Sequence, residues 1–331
     1  MSLRGRRVLV TGADGFIGSH LVERLVAEGA DVRAFCVYNS RGSAGWLDEA
    51  APAIRAALDI RLGDIRDAAF VERSMDGIDA VFHLAALIAI PYSYTAVESF
   101  VDTNVQGTLN VLEGARRAGV GRVVVTSTSE VYGTPDELPI RETHPLNAQS
   151  PYAATKVAAD QMALAFHRSF GTPVVVLRPF NTYGPRQSER AVLPTMIRQL
   201  LAGGREIRLG RLDTRRDLTF VGDTVDGFVR AAVTAGIEGR TIQLGTGRAE
   251  SIGELFAIAR RQIGSDAVVV TDAERLRPDA SEVMALLADP SVAREVLGWE
   301  AATTLEEGVA ATIAWTRTQP VPPTDAARVQ L

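Results

Sequence analysis

The first half of the chain alternates short apolar runs with longer stretches of helical periodicity. The short runs predict strands at 6–12, 31–38, 60–67, 80–86, 121–128 and 172–179. The longer stretches predict helices at 16–29, 97–119 and 151–171. Because the strands are almost continuously apolar, we expect them to be buried on both faces of a parallel sheet. The pattern therefore predicts an α/β fold built on a Rossmann-like, doubly wound parallel sheet.

The pattern changes after residue 180. Arginines crowd residues 186–216, the periodicity becomes irregular, and 241–247 resembles one more strand of the sheet. We therefore predict an NAD(P)-binding domain of residues 1–180, to which 220–248 returns. A smaller, mixed α/β substrate lobe is expected to comprise the stretches 181–219 and 249–317. The proline-rich tail, 318–331, is predicted to be flexible.

Composition narrows the class of protein. The 331 residues carry a net charge of −5, which offers no basic field for nucleic acid or an acidic membrane. The longest apolar run is too short to span a bilayer, and the first residues do not form a signal peptide. Cys36 is the only cysteine and the four histidines are scattered, so we expect neither a disulfide nor a metal site. We predict a cytoplasmic protein.

A glycine-rich turn lies between the first strand and the first helix, in "VLVTGADGFIGSHL". Glycines at this point allow a tight turn, bring backbone N–H groups close to a pyrophosphate, and let the helix pack on the strand. The turn therefore predicts a dinucleotide site. The residues assigned to it are Gly12, Gly15, Phe16, Ile17 and Gly18.

The end of the second strand bears on which dinucleotide is bound. An acidic side chain usually holds the adenosine ribose there, but "FCVYNSRGS" contains none. Asn39, Ser40 and Arg41 suit either a ribose or a 2′-phosphate, so NAD and NADP both stay open. Asp64, followed by Ile65, is a second candidate near the adenine.

Lys156 is the only lysine in a chain whose other 34 basic residues are arginines. It follows Tyr152 by four residues, which places both side chains on one face of a helix. A nearby ammonium favours the phenolate and lowers the pKa of a tyrosine. A shift from about 10 to about 7 requires roughly 4 kcal/mol, which a close charge and a cofactor's positive ring can supply. Tyr152 is therefore predicted to be the general acid/base.

These motifs, with "HLAA" at 83–86, resemble those of the extended short-chain dehydrogenase/reductases that act on nucleotide sugars. The resemblance runs from about residue 5 to 317. It implies that helices 97–119 and 151–171 form a four-helix bundle in a homodimer. It also implies further cofactor contacts, from Leu84, Ala85, Ala86, Asn104, Tyr152 and Lys156.

The segment "TSTSEVYGT" bears on the reaction. The resemblance implies that Thr128 hydrogen-bonds the sugar 4-hydroxyl beside Tyr152, and 4,6-dehydratases carry a glutamate where Glu130 stands. In such an enzyme C4 is oxidised, Glu130 removes the C5 proton as the C6 hydroxide leaves, and hydride returns to C6. The cofactor, NAD in our prediction, is then tightly bound and recycled. Ser129 replaces the aspartate acid of deoxythymidine-diphosphate-glucose dehydratases.

Several activities share this site pattern. Thr-Ser-Glu resembles GDP-mannose and N-acetylhexosamine 4,6-dehydratases, and also UDP-glucuronate decarboxylases. Longer segments, such as "RPFNTYGPRQSER", resemble dehydratases of the legionaminic-acid pathway type, and we predict a 4,6-dehydratase acting on an NDP-hexose. A 4-epimerase and a decarboxylase stay open as well. So does a catalytically silent NAD(P)-binding regulator, because fold alone does not fix function.

Arginines are expected to hold the substrate diphosphate, because the guanidinium fork matches phosphate geometry. By the resemblance, Arg216 and Arg277 contact the diphosphate and Glu282 a ribose hydroxyl, while Asn181 and Arg186 line the same cleft. The nucleobase and the hexose stay open. The substrate-binding candidates are Ser93, Tyr94, Thr128, Asn181, Arg186, Arg216, Arg277 and Glu282.

Overall fold

The computed structural model describes residues 2–272 and 282–320. The strands are, in chain order, β1 Arg7–Thr11, β2 Asp31–Val37, β3 Leu58–Gly63, β4 Ala80–His83, β5 Arg122–Thr126, β6 Val174–Pro179, β7 Thr182–Tyr183, β8 Glu206–Leu209, β9 Arg215–Arg216, β10 Thr219–Phe220, β11 Thr241–Leu244, β12 Glu250–Ser251, β13 Val268–Thr271 and β14 Ala285–Leu286. The α-helices are α1 Phe16–Ala27, α2 Pro52–Ala56, α3 Ala68–Ser74, α4 Ile90–Ser93, α5 Val97–Phe100, α6 Gly107–Ala118, α7 Pro151–Phe170, α8 Val192–Leu201, α9 Val221–Val233, α10 Ile252–Ile263, α11 Ser291–Leu297 and α12 Leu305–Thr318. Short 3₁₀ helices cover Gly45–Glu49 and Ser129–Tyr132, and a π-helical segment covers Val101–Gln106.

A seven-stranded sheet forms the centre of the molecule, in the order β11-β6-β5-β4-β1-β2-β3. Every neighbouring pair in this sheet is parallel. One apolar cluster packs the sheet against α1, α9 and α11, and a second packs the opposite face against α3, α6 and α7. The predicted doubly wound, Rossmann-like sheet is confirmed, and 241–244 supplies its seventh strand.

Five of the six strands predicted in the first half extend too far at their carboxyl ends. The strand predicted to run through "HLAA" ends at His83, because the last ladder bond is the one from the Leu84 N–H to the Thr11 carbonyl, at 3.1 Å, and the Thr11 hydroxyl takes the next N–H. Thr11 Oγ1 accepts from the N–H groups of Leu84 and Ala85, both at 3.2 Å. Similarly, the single helix predicted at 97–119 is a continuous path of α5, the π-helical segment and α6. In both places the apolar pattern continues past the point at which the regular strand or α-helix ends.

A smaller part of the chain packs α8, α10 and α12 around β8 and β13. The side chain of Asp217 joins it to the segments after β11 and β14. This buried carboxylate accepts from the N–H groups of Thr246 at 2.7 Å, Gly247 at 3.0 Å and Ala288 at 3.2 Å. Burial raises the pKa of Asp217, and these hydrogen bonds oppose the rise. The proposed domain limits stay a prediction, and residues 321–331 of the tail lie outside the described part.

Two contacts tie the edges of the smaller part to the large sheet. Trp46, in the loop after β2, meets Trp315 of α12 edge to face, with ring centroids 5.5 Å apart. Arg186 forms an ion pair of 2.7 Å with Glu23 of α1. In the described ranges, none of the helices combines the length and apolar character needed to cross a bilayer.

Candidate active site

The glycine turn has the shape that a dinucleotide pyrophosphate requires. Gly12 has φ of 69°, and a Cβ there would lie 2.8 Å from the backbone nitrogen of Ala85. A Cβ on Gly18 would collide with the carbonyl of Gly12. Gly15 precedes α1 without any side-chain cap, so the first N–H groups of that helix stay available to an anion. Phe16 and Ile17, both partly buried, form the first turn of α1.

A carboxylate from the glycine turn lies beside the end of β2, and the sequence did not indicate this contact. Asp14, inside the glycine turn, reaches the backbone N–H of Val37 with a distance of 3.4 Å. Burial raises the pKa of Asp14. The local pattern gave no signal for this contact, because Asp14 and Val37 are brought together only by the pairing of β1 with β2.

Asn39 uses its side chain to shape its own loop. Its Nδ2 donates to the carbonyl of Ser43 at 2.7 Å, and its Oδ1 accepts from the N–H groups of Arg41 and Ser43. Ser40 and Arg41 are exposed beside it. The cofactor roles assigned to these three residues stay predictions, and the structure gives Asn39 a local structural role.

Asp64 and Ile65 follow β3, at the same edge of the sheet. The Asp64 carboxylate is paired with Arg66 at 2.6 Å, and this hydrogen bond lowers the pKa of Asp64. Ile65 is buried and its carbonyl accepts from the side-chain amide of Asn110 at 3.0 Å. Their predicted contact with adenine stays a prediction.

His83 begins a buried chain of hydrogen bonds behind the cofactor site. Its ring nitrogens lie 2.8 Å from Thr11 Oγ1 and 2.9 Å from Thr108 Oγ1. Burial, with a contribution from the charge of Lys156, lowers the pKa of His83 to about 3. Since Thr11 also receives the N–H groups of residues 84 and 85, this neutral histidine fixes the backbone that is predicted to line the cofactor, with Ala86 following it.

Asn104 lies in the π-helical segment and is almost completely buried. Its Oδ1 accepts from the N–H of Leu87 at 2.8 Å, and its Nδ2 donates to the Leu87 carbonyl and to Thr155 Oγ1. Asn104 therefore ties the loop after β4 to α7. Its predicted contact with the cofactor stays a prediction.

Residues at the end of β5 form hydrogen bonds with side chains on one face of α7. The carbonyl of Thr126 accepts a hydrogen bond of 2.6 Å from Lys156 Nζ. The hydroxyl of Thr128 hydrogen-bonds with that of Tyr152. α7 begins at Pro151 behind a Ser150 cap, whose hydroxyl accepts from the N–H of residue 153 at 3.1 Å. The structure therefore brings together the three side chains that the sequence singled out.

Burial raises the pKa of Tyr152. The hydrogen bond with Thr128 opposes this rise, whereas the negative charges of Glu130 and Asp160 reinforce it. The sequence predicted a pKa lowered by Lys156 together with the positive ring of a cofactor, and that prediction for the loaded site stays a prediction; in the protein by itself the pKa is raised. The reason is geometric, because the ammonium of Lys156 is bonded to a backbone carbonyl and the phenol lies in an apolar wall beside Phe100.

Glu130 and Ser129 belong to the 3₁₀ helix that follows Thr128. The N–H of Glu130 donates to Thr128 Oγ1 at 3.3 Å, which starts that helix. The Glu130 side chain is partly exposed, and its charge acts on Tyr152. Ser129 is buried. A carboxylate and a phenol thus share the carboxyl edge of the sheet, where α/β proteins bind ligands.

The substrate candidates fall into separate groups. Asn181 has a buried Nδ2 that finds no hydrogen-bond partner in the described chain, so this donor suits a ligand. Arg216 and Glu282, each about 10% exposed, pair at 3.5 Å. The residues predicted to contact the diphosphate and the ribose, Arg216 and Glu282, are therefore adjacent. Arg277 lies outside the described residues.

Arg186 is held on α1. Its guanidinium contacts Glu23 at 2.7 Å and Ser19 at 3.3 Å, and its φ of 68° is unusual for a residue other than glycine. Ser93 is buried and donates to the carbonyl of Ile90 at 2.7 Å, while Tyr94 is 41% exposed. The substrate contacts assigned to Arg186, Ser93 and Tyr94 stay predictions.

A buried ion pair between Asp160 and Arg178 was not predicted from the sequence. Their side chains are at most 3% exposed and 2.9 Å apart. The spacing of Tyr152, Lys156 and Asp160, four residues apart in each case, places all three on one helical face and was a readable signal. In the ranges the structure describes, no group of three or more His, Cys, Asp or Glu residues could hold a metal ion.

Known proteins share this architecture over nearly its whole length. A family model described as GDP-mannose 4,6 dehydratase matches residues 9–312. The chain belongs to that family. It is therefore an NAD-dependent enzyme of the epimerase/dehydratase type within the short-chain dehydrogenase/reductases, and the resemblance stated from sequence is confirmed.

Individual relatives carry two different activities in their names. A dTDP-glucose 4,6-dehydratase of Streptomyces griseus is 37% identical over 312 residues, covering 93% of each chain. A UDP-glucose 4-epimerase of Mycolicibacterium smegmatis is 35% identical over 324 residues, covering 94% of this chain and 98% of its own. The structure of a double mutant of a dTDP-glucose 4,6-dehydratase from Streptomyces venezuelae, with NAD bound, gives a TM-score of 0.83 at 33% identity, covering 94% of this chain and 97% of that one.

Proposed function

We propose that the protein is a nucleotide-sugar 4,6-dehydratase that converts an NDP-hexose into the 4-keto-6-deoxy sugar. The observation that carries this proposal is Glu130, whose carboxylate acts on Tyr152 from the end of β5. A 4-epimerase needs one acid/base group, for the 4-hydroxyl. A dehydratase needs a second base, for the C5 proton, and the partly exposed Glu130 beside Tyr152 supports that role.

The residues of the site divide the work between them. Bound NAD would supply a reversible hydride acceptor, held by the glycine turn and the start of α1. Tyr152 takes the proton of the sugar 4-hydroxyl. The hydrogen bond between Thr128 and Tyr152 orients the phenol for this step. Lys156 keeps a positive charge near the phenol, and Glu130 removes the C5 proton. Because burial raises the pKa of Tyr152, proton removal depends on the positive charges that the loaded site brings to it.

The cofactor is NAD, and the position of Asp14 supports that choice over NADP. The carboxylate lies at the carboxyl end of β2, where the adenosine ribose is bound in Rossmann folds. A carboxylate accepts hydrogen bonds from ribose hydroxyls and repels a 2′-phosphate. Arg41 is the nearby residue that would favour NADP, and it is exposed.

We infer that the sugar nucleotide lies between the end of β6 and the β9 region. The unpartnered donor of Asn181 supports contact with the substrate. The pair of Arg216 and Glu282 supplies a cation for a diphosphate and a carboxylate for a ribose hydroxyl. Arg277, Arg186, Ser93 and Tyr94 complete the proposed set of substrate contacts.

We also propose a homodimer formed by the α5–α6 helical path and α7. Val97 and Val101, one helical turn apart, are each 45% exposed on that path, and Ala154 and Ala165 are exposed on α7. Small and apolar exposed residues on neighbouring helices suit a helix-to-helix interface. Sedimentation equilibrium of the wild type and of Val101→Glu tests it, since the charge should convert dimer to monomer. A cytoplasmic location stays a prediction.

The 4-epimerase is the second candidate, and the relative from Mycolicibacterium smegmatis favours it. A UDP-glucuronate decarboxylase and a catalytically silent NAD(P)-binding protein complete the set of candidate functions. Mass spectrometry of the purified enzyme incubated separately with UDP-, GDP- and dTDP-hexoses, N-acetyl forms and UDP-glucuronate included, distinguishes them. Loss of one water without added reduced cofactor identifies the dehydratase and its substrate. Unchanged mass with a new stereoisomer identifies an epimerase, loss of CO₂ a decarboxylase, and no turnover the silent protein.

A further inference from the structure

Three consecutive residues at the end of β5 engage three successive turns of α7. Thr126 accepts from Lys156, Ser127 donates to Asp160 at 2.7 Å, and Thr128 bonds with Tyr152. The first and third contacts involve the proposed catalytic pair. The middle contact involves the Asp160 carboxylate, which has no role in the proposed reaction. Asp160 nevertheless lies on the same face of α7, four residues after Lys156.

Lys156 is in a position that does not by itself favour a charged amine. The side chain is 4% exposed, and Nζ bonds to the carbonyl of Thr126. A buried ammonium with only neutral partners loses its proton readily. Burial does lower the pKa of Lys156, and Asp160 is the group that raises it.

One oxygen of the Asp160 carboxylate is held by a buried cation and a hydroxyl. Asp160 is fully buried, and its Oδ2 accepts from Ser127 Oγ, from Arg178 Nε at 3.1 Å and from Arg178 Nη2 at 2.9 Å. The guanidinium of Arg178 is itself held by the hydroxyl of Tyr132 at 2.8 Å and lies over that ring. The carboxylate is thus the counter-charge of a buried guanidinium, and its Oδ1 finds no hydrogen-bond partner in the described chain.

The other titratable groups around Lys156 do not replace Asp160. Tyr152, on α7 itself, is a phenol whose raised pKa keeps it neutral. His83 of β4 is neutral, because its pKa is lowered to about 3. Arg178 of β6 has the same charge sign as Lys156. The charge of Glu130, on the 3₁₀ helix, acts on Tyr152, whereas the charge that acts on Lys156 is that of Asp160.

We propose that Asp160, anchored by Arg178 and Ser127, is a positioning residue that keeps Lys156 protonated and fixed in the active site. This inference rests on the proposed function only in giving Lys156 a catalytic task. Asp160 and Arg178 touch neither substrate nor cofactor in this proposal. They act through Lys156, by fixing its charge.

The single lysine of the chain allows a direct test. Protein labelled with [¹³Cε]-lysine, carrying no lysine in its tag, gives one lysine side-chain resonance, and its titration reports the pKa of Lys156 without assignment. In Asp160→Asn this pKa should fall by about one unit or more. The alkaline limb of the kcat profile should move to lower pH by the same amount, with KM little changed.

A matched control lies at the opposite end of the same strand. Glu238→Gln removes the partner of Arg122, an ion pair of 2.6 Å at the amino end of β5, and should leave the Lys156 resonance unchanged. Asp160→Glu should restore most of the lost pKa. An unchanged Lys156 pKa in folded Asp160→Asn, or an equal fall in Glu238→Gln, overturns the proposal.

The wild-type titration decides the matter even where Asp160→Asn does not fold. A Lys156 pKa below about 7 means that the amine is neutral in the working protein, which also overturns the proposal. The resonance is read without substrate. Failure of the wild type to convert any sugar nucleotide would therefore count against the proposed dehydratase and leave this titration intact.

Discussion

The two ends of β5 carry the same chemical pair in different surroundings. At the amino end, Arg122 of β5 binds Glu238, whose side chain is 32% exposed. At the carboxyl end, Arg178 of the neighbouring strand binds Asp160, and both are essentially buried. In the first pair Arg122 is only 8% exposed, and water reaches the pair from the glutamate side. The second pair stands where water does not screen it, so its charges reach the lysine and the tyrosine next to it.

This difference follows the polarity of the parallel sheet. All its strands present their carboxyl ends to one edge, so the loops that bind ligands gather there. Burying charge at that edge is costly, and the benefit is control over the protonation of neighbouring groups. The amino edge also buries a guanidinium, that of Arg122, but its carboxylate partner is partly open to water.

Tyr152→Phe tests the catalytic edge with the largest expected effect. Removing the hydroxyl should lower kcat at least about 1000-fold, because general acid/base catalysis at C4 is lost. Thermal stability should change little, since the variant loses one hydrogen bond to Thr128. Tyr38→Phe, at an exposed tyrosine after β2, is the control and should be fully active. Near-normal turnover of Tyr152→Phe would remove this residue from the mechanism.

Glu130→Gln separates the two half-reactions of a dehydratase. Overall turnover should fall about 100-fold or more, because the base for C5 is lost. Exchange of the C5 proton with solvent, followed by NMR in D₂O, should stop. Oxidation at C4 should persist and appear as nicotinamide absorbance. Glu137→Gln, at an exposed glutamate beyond the 3₁₀ helix, should behave as wild type, and continued C5 exchange in Glu130→Gln would assign the base to another residue.

Breaking each ion pair compares the two ends of β5 in stability. Asp160→Ala should lower the free energy of unfolding by about 3–5 kcal/mol, because it leaves the buried Arg178 guanidinium unpaired. Glu238→Ala should cost less, about 1–3 kcal/mol, because Arg122 is only 8% exposed but keeps its hydrogen bond to the Thr234 carbonyl, and water reaches the position of the glutamate. Urea unfolding followed by circular dichroism measures both. Equal losses would mean that the two ends do not differ as described.

His83 should give the carboxyl edge a characteristic pH dependence. Its pKa is about 3 when folded, against 6.5 when unfolded, so the unfolded chain binds a proton that the folded chain excludes. The free energy of unfolding should therefore rise with pH between about 3 and 6.5, by up to about 1.4 kcal/mol per unit, and level off above. His83→Gln should flatten this part of a melting-temperature profile. A profile identical to wild type would contradict the buried, neutral state.

Local patterns predicted the large sheet and the catalytic pair well, for physical reasons. The glycine turn and the four-residue spacing of Tyr152 and Lys156 are contained in short segments, where backbone geometry and helix periodicity decide the outcome. The strand limits were less accurate. At Thr11, a side chain competes for N–H groups that belong to another segment, and the apolar pattern does not record such competition.

Contacts between distant segments escaped sequence reasoning. Asp14 contacts β2, Asp217 binds the segments after β11 and β14, and Arg186 pairs with α1. Each contact depends on how distant strands and lobes come together. Arg186 illustrates the difficulty. Its motif suggested a ligand contact, but its guanidinium has a carboxylate partner in the protein. The number of arginines gives any one of them several possible partners, which spacing alone does not resolve.

The contact between Trp46 and Trp315 has a practical consequence. The chain has three tryptophans, and these two lie 5.5 Å apart, edge to face, across the loop after β2 and α12. Indoles at this distance couple their electronic transitions, so the pair is an intrinsic spectroscopic probe of the contact and requires no label. A change in the contact between Trp46 and α12 would alter the near-ultraviolet circular dichroism and the emission of the protein together.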